Sequence, residues 1–134
     1  MGIRGSITRE VLLENVRVPA ENMLGKEGEG FGILMNVFNE TRPIVGAQAV
    51  GIAKGAFNYV LNYIQERKQF GKPISHFQMV QAKIADMAIA IESSRLLVHQ
   101  AAKMIDNGDA NVIQYSSMAK CYGSDTAMKV TTEA

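Results

Sequence analysis

Two stretches of this chain gather side chains capable of chemistry. Phe38-Asn39-Glu40-Thr41-Arg42-Pro43 sets an amide and a guanidinium three positions apart, and so on one face of a helix. A guanidinium suits phosphate or carboxylate because its fork of donors matches two oxygens. The plain alternative is a salt bridge from Arg42 to Glu40 or to another helix, and on spacing alone that alternative leads. The second stretch is Glu66-Arg67-Lys68-Gln69-Phe70-Gly71-Lys72-Pro73-Ile74, followed by His76-Phe77-Gln78. Basic, amide and aromatic groups around a glycine turn can hold an anionic, ring-bearing ligand: charge to pyrophosphate, ring against ring, amide to ring nitrogens. Its plain alternative is a helix-turn-helix corner with Phe70 tucked into the core.

Other chemistries find no support. His76 and His99 lie far apart and match no metal-ligand spacing, so each reads as structural. Gly25, Gly28, Gly30 and Gly32 form no phosphate loop, because no Lys-Ser/Thr pair follows; a turn before a helix explains them. No Ser-His-Asp or Cys-His arrangement can be drawn, and the one cysteine, Cys121, permits neither an internal disulfide nor a cysteine metal site. No catalytic residue and no metal ligand is therefore assigned. A net charge of +1, from 14 basic and 13 acidic residues, offers no footprint for nucleic acid. With 47% hydrophobic and 20% charged residues the composition is that of a globular domain. No apolar run approaches the ~20 residues of a membrane span, so no transmembrane segment is expected. The opening Met1-Gly2-Ile3-Arg4-Gly5-Ser6 lacks the apolar core of a secretory signal. A bacterial cytoplasm or a mitochondrial matrix is the expected setting.

The elements that must position these groups change character near residue 25. Ile7, Val11, Leu12, Leu13, Val16 and Val18, closed by Pro19, read as one or two short strands. Pro19 to Gly28 is a turn-rich connection. From Gly30 the period becomes helical: Phe31, Leu34, Met35 and Phe38 form one face, resumed by Val45, Ala49, Ile52, Ala53, Ala56, Val60 and Ile64. Pro43 between the two runs should kink or break the helix. Gly46, Gly51, Ala53 and Gly55 would let another helix approach closely. Ser75 with Gln78 forms a capping-box pattern for a second helix, whose apolar face runs from Ile84 and Met87 to Ala101 and Ile105. In Asn107-Gly108-Asp109, Gly108 suits the left-handed terminus of that helix and Asp109 the N-cap of a third. Long helices on short loops imply a mainly α, antiparallel bundle preceded by a short β segment. Thr131-Thr132-Glu133-Ala134 holds no terminator, so the sequence reads as cut rather than finished.

Arg67-Lys68-Gln69-Phe70-Gly71-Lys72-Pro73-Ile74 with Phe77-Gln78 resembles the flavin-contacting signature of the acyl-CoA dehydrogenase family. Val16 to Gly25, with Gly28-Glu29-Gly30-Phe31, resembles that family's passage from its middle β-domain to its C-terminal helices. Phe38-Asn39-Glu40-Thr41-Arg42-Pro43 is similar to its substrate-lining helix segment. The three motifs stand in family order over essentially the whole chain. The resemblance implies residues 1–25 as the tail of the middle β-domain and 26–134 as a C-terminal helical bundle truncated at its end. It implies oxidation of an acyl-CoA to the trans-2-enoyl-CoA: a carboxylate removes the α-proton and the β-hydrogen leaves as hydride to FAD. Electrons then pass to an electron-transfer flavoprotein. Arg67, Gln69, Phe70, Phe77 and Gln78 would contact the FAD of a neighbouring subunit, which implies a homo-oligomer, dimer or tetramer, built through this domain. Asn39 and Arg42 would lie beside the CoA portion of the acyl-CoA substrate, with Met35 and Phe38 lining the acyl channel.

Asn39 departs from the aspartate frequent in the family at that position, which keeps a hydrogen-bonding group but loses the charge. The minority position for the family's base is held by Thr41, which is no carboxylate, and Glu40 beside it points about 100° round the helix. The base is thus expected after Ala134, and the isolated chain is expected to be an inactive enzyme fragment. Two other readings compete: a free-standing helical oligomerisation or binding module without catalysis, and a nucleotide-binding regulator resting on the Arg67 region.

Overall fold

The computed structural model describes residues 4–134; Met1, Gly2 and Ile3, half of the start read above for a signal, lie outside the described residues. Three helices carry the structure: α1 (Gly30–Glu66), α2 (Gln78–Asp106) and α3 (Val112–Glu133). A two-stranded antiparallel ribbon, β1 (Lys68–Gln69) with β2 (Lys72–Pro73), joins α1 to α2. The architecture is the expected mainly α antiparallel bundle. Its β structure is not where the opening residues put it. Between residues 4 and 29 no strand forms, only a 3-10 turn at Ala20–Asn22. Ile7, Val11, Leu12, Leu13, Val16 and Val18 are all exposed, because β-branched runs make strands only when a second strand accepts their hydrogen bonds.

Helix α1 runs unbroken through Pro43, so of the kink or break expected there the break does not occur. Proline removes one backbone donor, and the buried packing of this stretch outweighs that local loss. The stripe that α1 buries is Asn39, Pro43, Gly46, Ala49, Val50, Ala53, Val60 and Ile64. The expected apolar face therefore splits: Ala49, Ala53, Val60 and Ile64 turn inward, while Phe31, Leu34, Phe38, Val45 and Ile52 stay exposed. Gly46 decides the split, since α3 approaches there. A Cβ on Gly46 would stand 2.8 Å from the Ala119 carbonyl oxygen, and one on Gly123 would stand 3.2 Å from the Gly46 carbonyl oxygen. Gly51 and Gly55, expected to share this role, have nothing within 4 Å.

The core joins Ala49, Val50 and Ala53 of α1, Met87 and Ile91 of α2, and Ala127 and Val130 of α3. Beside it the buried hydroxyls of Ser94 and Thr126 bond at 2.9 Å, tying α2 to α3. By length and composition alone α1 is apolar enough to cross a bilayer, against the expectation of no such segment. Its buried stripe is taken up by α2 and α3, as in the core helix of a bundle.

The connections correct two further expectations. Ser75 caps nothing: Ile74–His76 is a 3-10 turn, Phe77 precedes the first residue of α2, and the Ser75 carbonyl accepts from Gln81 Nε2 at 2.9 Å. Gly108 does take the left-handed conformation, with φ 65°. Its N–H donates to the Ile105 carbonyl and that of Asp109 to Met104, closing α2 with a Schellman pair. Asp109 is not the N-cap of α3. That position falls to Asn111, whose N–H donates to Asp109 Oδ1 at 2.8 Å.

Candidate functional site

Met35, Phe38, Asn39 and Arg42 are spaced i, i+3, i+4 and i+7, which sets them along one stripe of α1. Arg42 Nη1 donates to Asn39 Oδ1 at 2.8 Å and reaches Ser117 Oγ of α3 at 3.5 Å. Ser117 in turn donates to the Ile113 carbonyl at 2.8 Å. The salt bridge from Arg42 to Glu40 does not form; the ion pairs among the described residues are Lys83–Glu133 and Glu92–Arg95. Arg42 is thus oriented by neutral groups and keeps its charge uncompensated and its remaining donors available.

Asn39 is buried and lines a cleft of about 400 Å³ with Asn36, Glu40, Met104, Asp109 and Val112, where α1 meets the α2–α3 turn. Met35 and Phe38 share its stripe but not the lining of that cleft. Thr41 donates its hydroxyl to the Val37 carbonyl at 3.0 Å, a local helical bond. Ser117 was not legible beforehand: it lies 75 residues from Arg42, and only the crossing of α1 with α3 brings the two together.

The second constellation sits at the other end of α1. Arg67 closes the helix by donating its N–H to the Tyr63 carbonyl at 2.9 Å, and its own carbonyl accepts from Ile74 N–H at 2.8 Å. Between them the ribbon pairs Lys68 with Pro73 and Gln69 with Lys72. Its two turn residues, Phe70 and Gly71, both have positive φ, 52° and 78°, as a two-residue hairpin of matching twist requires. Glycine meets that demand without cost, but phenylalanine does not.

The outcome for Phe70 is opposite to burial in the core: its residue is 92% exposed. Its ring meets Phe77 at 6.1 Å between centroids and 78° between planes, an edge-on pair. Lys72 Nζ stands 4.6 Å from the Phe77 centroid, within cation–π range. Gln78 opens α2 beside Phe77, and no hydrogen bond among the described residues engages the side chains of Arg67, Gln69 or Gln78. The structure thus brings Phe70 and Phe77 into contact with each other and sets Arg67, Gln69 and Gln78 along the same connection. Lys72 was not assigned a role, although its place opposite Gln69 follows from the turn.

A base, amides and an exposed aromatic ring suit a dinucleotide: guanidinium for diphosphate, ring for heterocycle, amide for ring nitrogens. No His/Cys/Asp/Glu cluster among the described residues could hold a metal. The two constellations are 25 helical residues apart from Arg42 to Arg67, roughly 38 Å at ~1.5 Å per residue. One copy of the chain does not bring them to a common point.

The family described as acyl-CoA dehydrogenase, C-terminal domain, matches residues 28–134. A cyclohex-1-ene-1-carbonyl-CoA dehydrogenase of Geobacter metallireducens is 53% identical over 134 residues, 100% of this chain and 35% of that protein. A probable acyl-CoA dehydrogenase of Mycobacterium tuberculosis is 46% identical over 134 residues, 100% of this chain and 34% of that protein. The butyryl-CoA dehydrogenase of Megasphaera elsdenii superposes with a TM-score of 0.86 at 45% identity, over 91% of this chain and 32% of its own. The chain spans about a third of the length of these relatives.

Proposed function

The chain belongs to the acyl-CoA dehydrogenase family, and from that premise we propose that it forms the helical domain of an FAD-dependent oxidoreductase converting an acyl-CoA to its trans-2-enoyl-CoA. The observation that carries this is the Phe70–Phe77 pair at the tip of the ribbon, an exposed ring on a connection that also bears Arg67, Gln69 and Gln78. A ring set beside a guanidinium and two amides matches a ring-bearing ligand held by charge.

In this reading Arg67 binds the diphosphate of FAD, Gln69 and Gln78 bond to adenine nitrogens, and Phe70, supported by Phe77, packs against the ring. FAD, when bound, supplies the acceptor for the substrate's β-hydride. Arg42, held by Asn39 and Ser117, presents its free donors to the CoA portion, and Met35 and Phe38 line the path of the acyl chain. The proton-abstracting carboxylate is not assigned to any described residue. The separation of roughly 38 Å along α1 supports the reading that each chain's ribbon serves a different active site from its own Arg42, in a homo-oligomer assembled through the helices. An electron-transfer flavoprotein is the partner that reoxidises the flavin. The free-standing module has no observation in its favour, since catalytic relatives match the chain over 100% of its length.

A chimera tests the reading. This chain replaces the corresponding third of the Geobacter dehydrogenase, and acyl-CoA-dependent reduction of an electron acceptor is measured. The expected result is FAD-bound turnover that R42A and R67A each depress. A folded chimera that neither retains FAD nor turns over would overturn it.

A further inference from the structure

Lys72 falls outside the residues assigned to the dinucleotide, yet it occupies a defined place. Its register opposite Gln69 sends both side chains from one face of the ribbon. Arg67, two positions before Gln69, leaves from the same face by strand alternation. Lys72 makes no ion pair among the described residues; the ring of Phe77, 4.6 Å away, holds its ammonium instead. Phe77 in turn meets Phe70. The chain of contacts therefore runs from Lys72 through Phe77 to the exposed ring.

We propose that Lys72 is a positioning residue of the dinucleotide-binding ribbon: its ammonium fixes Phe77, and through Phe77 the Phe70 ring that receives the ligand's heterocycle. The proposal rests on the ribbon's reading as an FAD contact. Its physical basis is order before binding. Phe70 has no core to fix its rotamer, so a ligand that packs on it must otherwise bear the entropy of holding the ring still. A cation over the neighbouring ring removes part of that cost without touching the ligand.

The experiment is an NMR titration of the full chain with FAD, in wild type, K72M, K72R, F77L and the K72M/F77L double variant. Methionine keeps much of the stem and removes the charge, while arginine keeps the cation. The Lys72 ε-methylene protons should be shifted upfield by the Phe77 ring and lose that shift in F77L. FAD should perturb Arg67, Gln69 and Phe70. K72M should weaken binding about two- to fivefold, as an exposed cation–π contact allows. K72R should restore it, and K72M should cost nothing further in the F77L background. An equal cost of K72M with and without Phe77 would mean that Lys72 acts on the ligand by its own charge; the proposal then fails while the FAD reading stands. If FAD leaves Arg67, Gln69 and Phe70 of the wild type unperturbed, the FAD reading fails and the proposal with it.

Discussion

Gly46 of α1 and Gly123 of α3 cross backbone to backbone, so near that a Cβ on Gly46 would lie 2.8 Å from the Ala119 carbonyl oxygen and one on Gly123 3.2 Å from that of Gly46. This crossing seats Ser117 beside Arg42 and so couples the packing to the candidate substrate site. G46A should destabilise the chain by about 1–3 kcal/mol in urea unfolding, because the obstructing atom is backbone and cannot rotate away. G123A should cost less. G51A and G55A, with open space around them, should stabilise by about 0.5–1 kcal/mol through helix propensity. Equal effects at positions 46 and 51 would refute the close crossing.

Asn39 orients Arg42 through one carbonyl oxygen. N39L removes that acceptor and should weaken binding of a CoA ligand to the chimera by about 1 kcal/mol, the typical worth of one such bond. N39D keeps the acceptor but sets a carboxylate against Arg42 and compensates the charge that Asn39 leaves free, so it should bind CoA no better than wild type. Calorimetry with CoA checks both, and tighter binding than wild type by either variant would contradict the assignment.

Phe70 combines a left-handed backbone with an exposed ring. F70G should relieve about 1 kcal/mol of local strain and lose almost no buried area, leaving stability unchanged or raised. The same variant should lose the response to FAD. Thermal unfolding and the NMR titration, run on one sample, separate the two effects; a loss of several kilocalories of stability would place Phe70 in a core instead.

Ser94 and Thr126 satisfy one another within the bundle. S94A leaves the Thr126 hydroxyl buried without this partner and should cost about 1–3 kcal/mol, whereas S94A/T126V should recover most of it. A double variant no more stable than S94A would show that the pair contributes nothing as a pair.

The Glu133 carboxyl is held below its ordinary value by a hydrogen bond from Lys83 and then by that residue's charge. A lowered carboxylate pKa stabilises the fold above the unfolded value and loses that contribution as pH falls through the folded value. The difference in urea midpoint between wild type and E133Q should therefore be present at pH 7 and fade below about pH 4. It should be small and salt-sensitive, because the two side chains are 58% and 38% exposed. A difference that grew on acidification would carry the wrong sign.

Local chemistry was legible wherever neighbours in sequence decide it. The helical period from Gly30, the turn at Gly108 and the glycine break at Gly71 follow from side-chain spacing and backbone freedom, and three helices stand over the expected stretches; the two-stranded hairpin at Gly71 was expected only as a break. The grouping of Arg67, Gln69, Phe70, Phe77 and Gln78 was legible for the same reason, since Arg67 to Gln78 is one short connection. Pro43 did not break the helix because the burial of the surrounding stripe outweighs proline's local penalty. Ser75 misled because a 3-10 turn took the place of the first helical turn.

By itself the sequence determined that this chain is a helical bundle carrying an amide–guanidinium pair and an aromatic, basic turn, because each depends on residues within a few positions of one another. Tertiary structure alone decided which face of α1 is buried, that Ser117 meets Arg42, that Phe70 points outward onto Phe77, and that the two candidate sites stand far apart along one helix. Periodicity says that α1 has apolar faces, but not which of them another helix will cover. That choice fell to the one place where two glycines let backbones touch, a relation between residues 46 and 123 that no local pattern encodes.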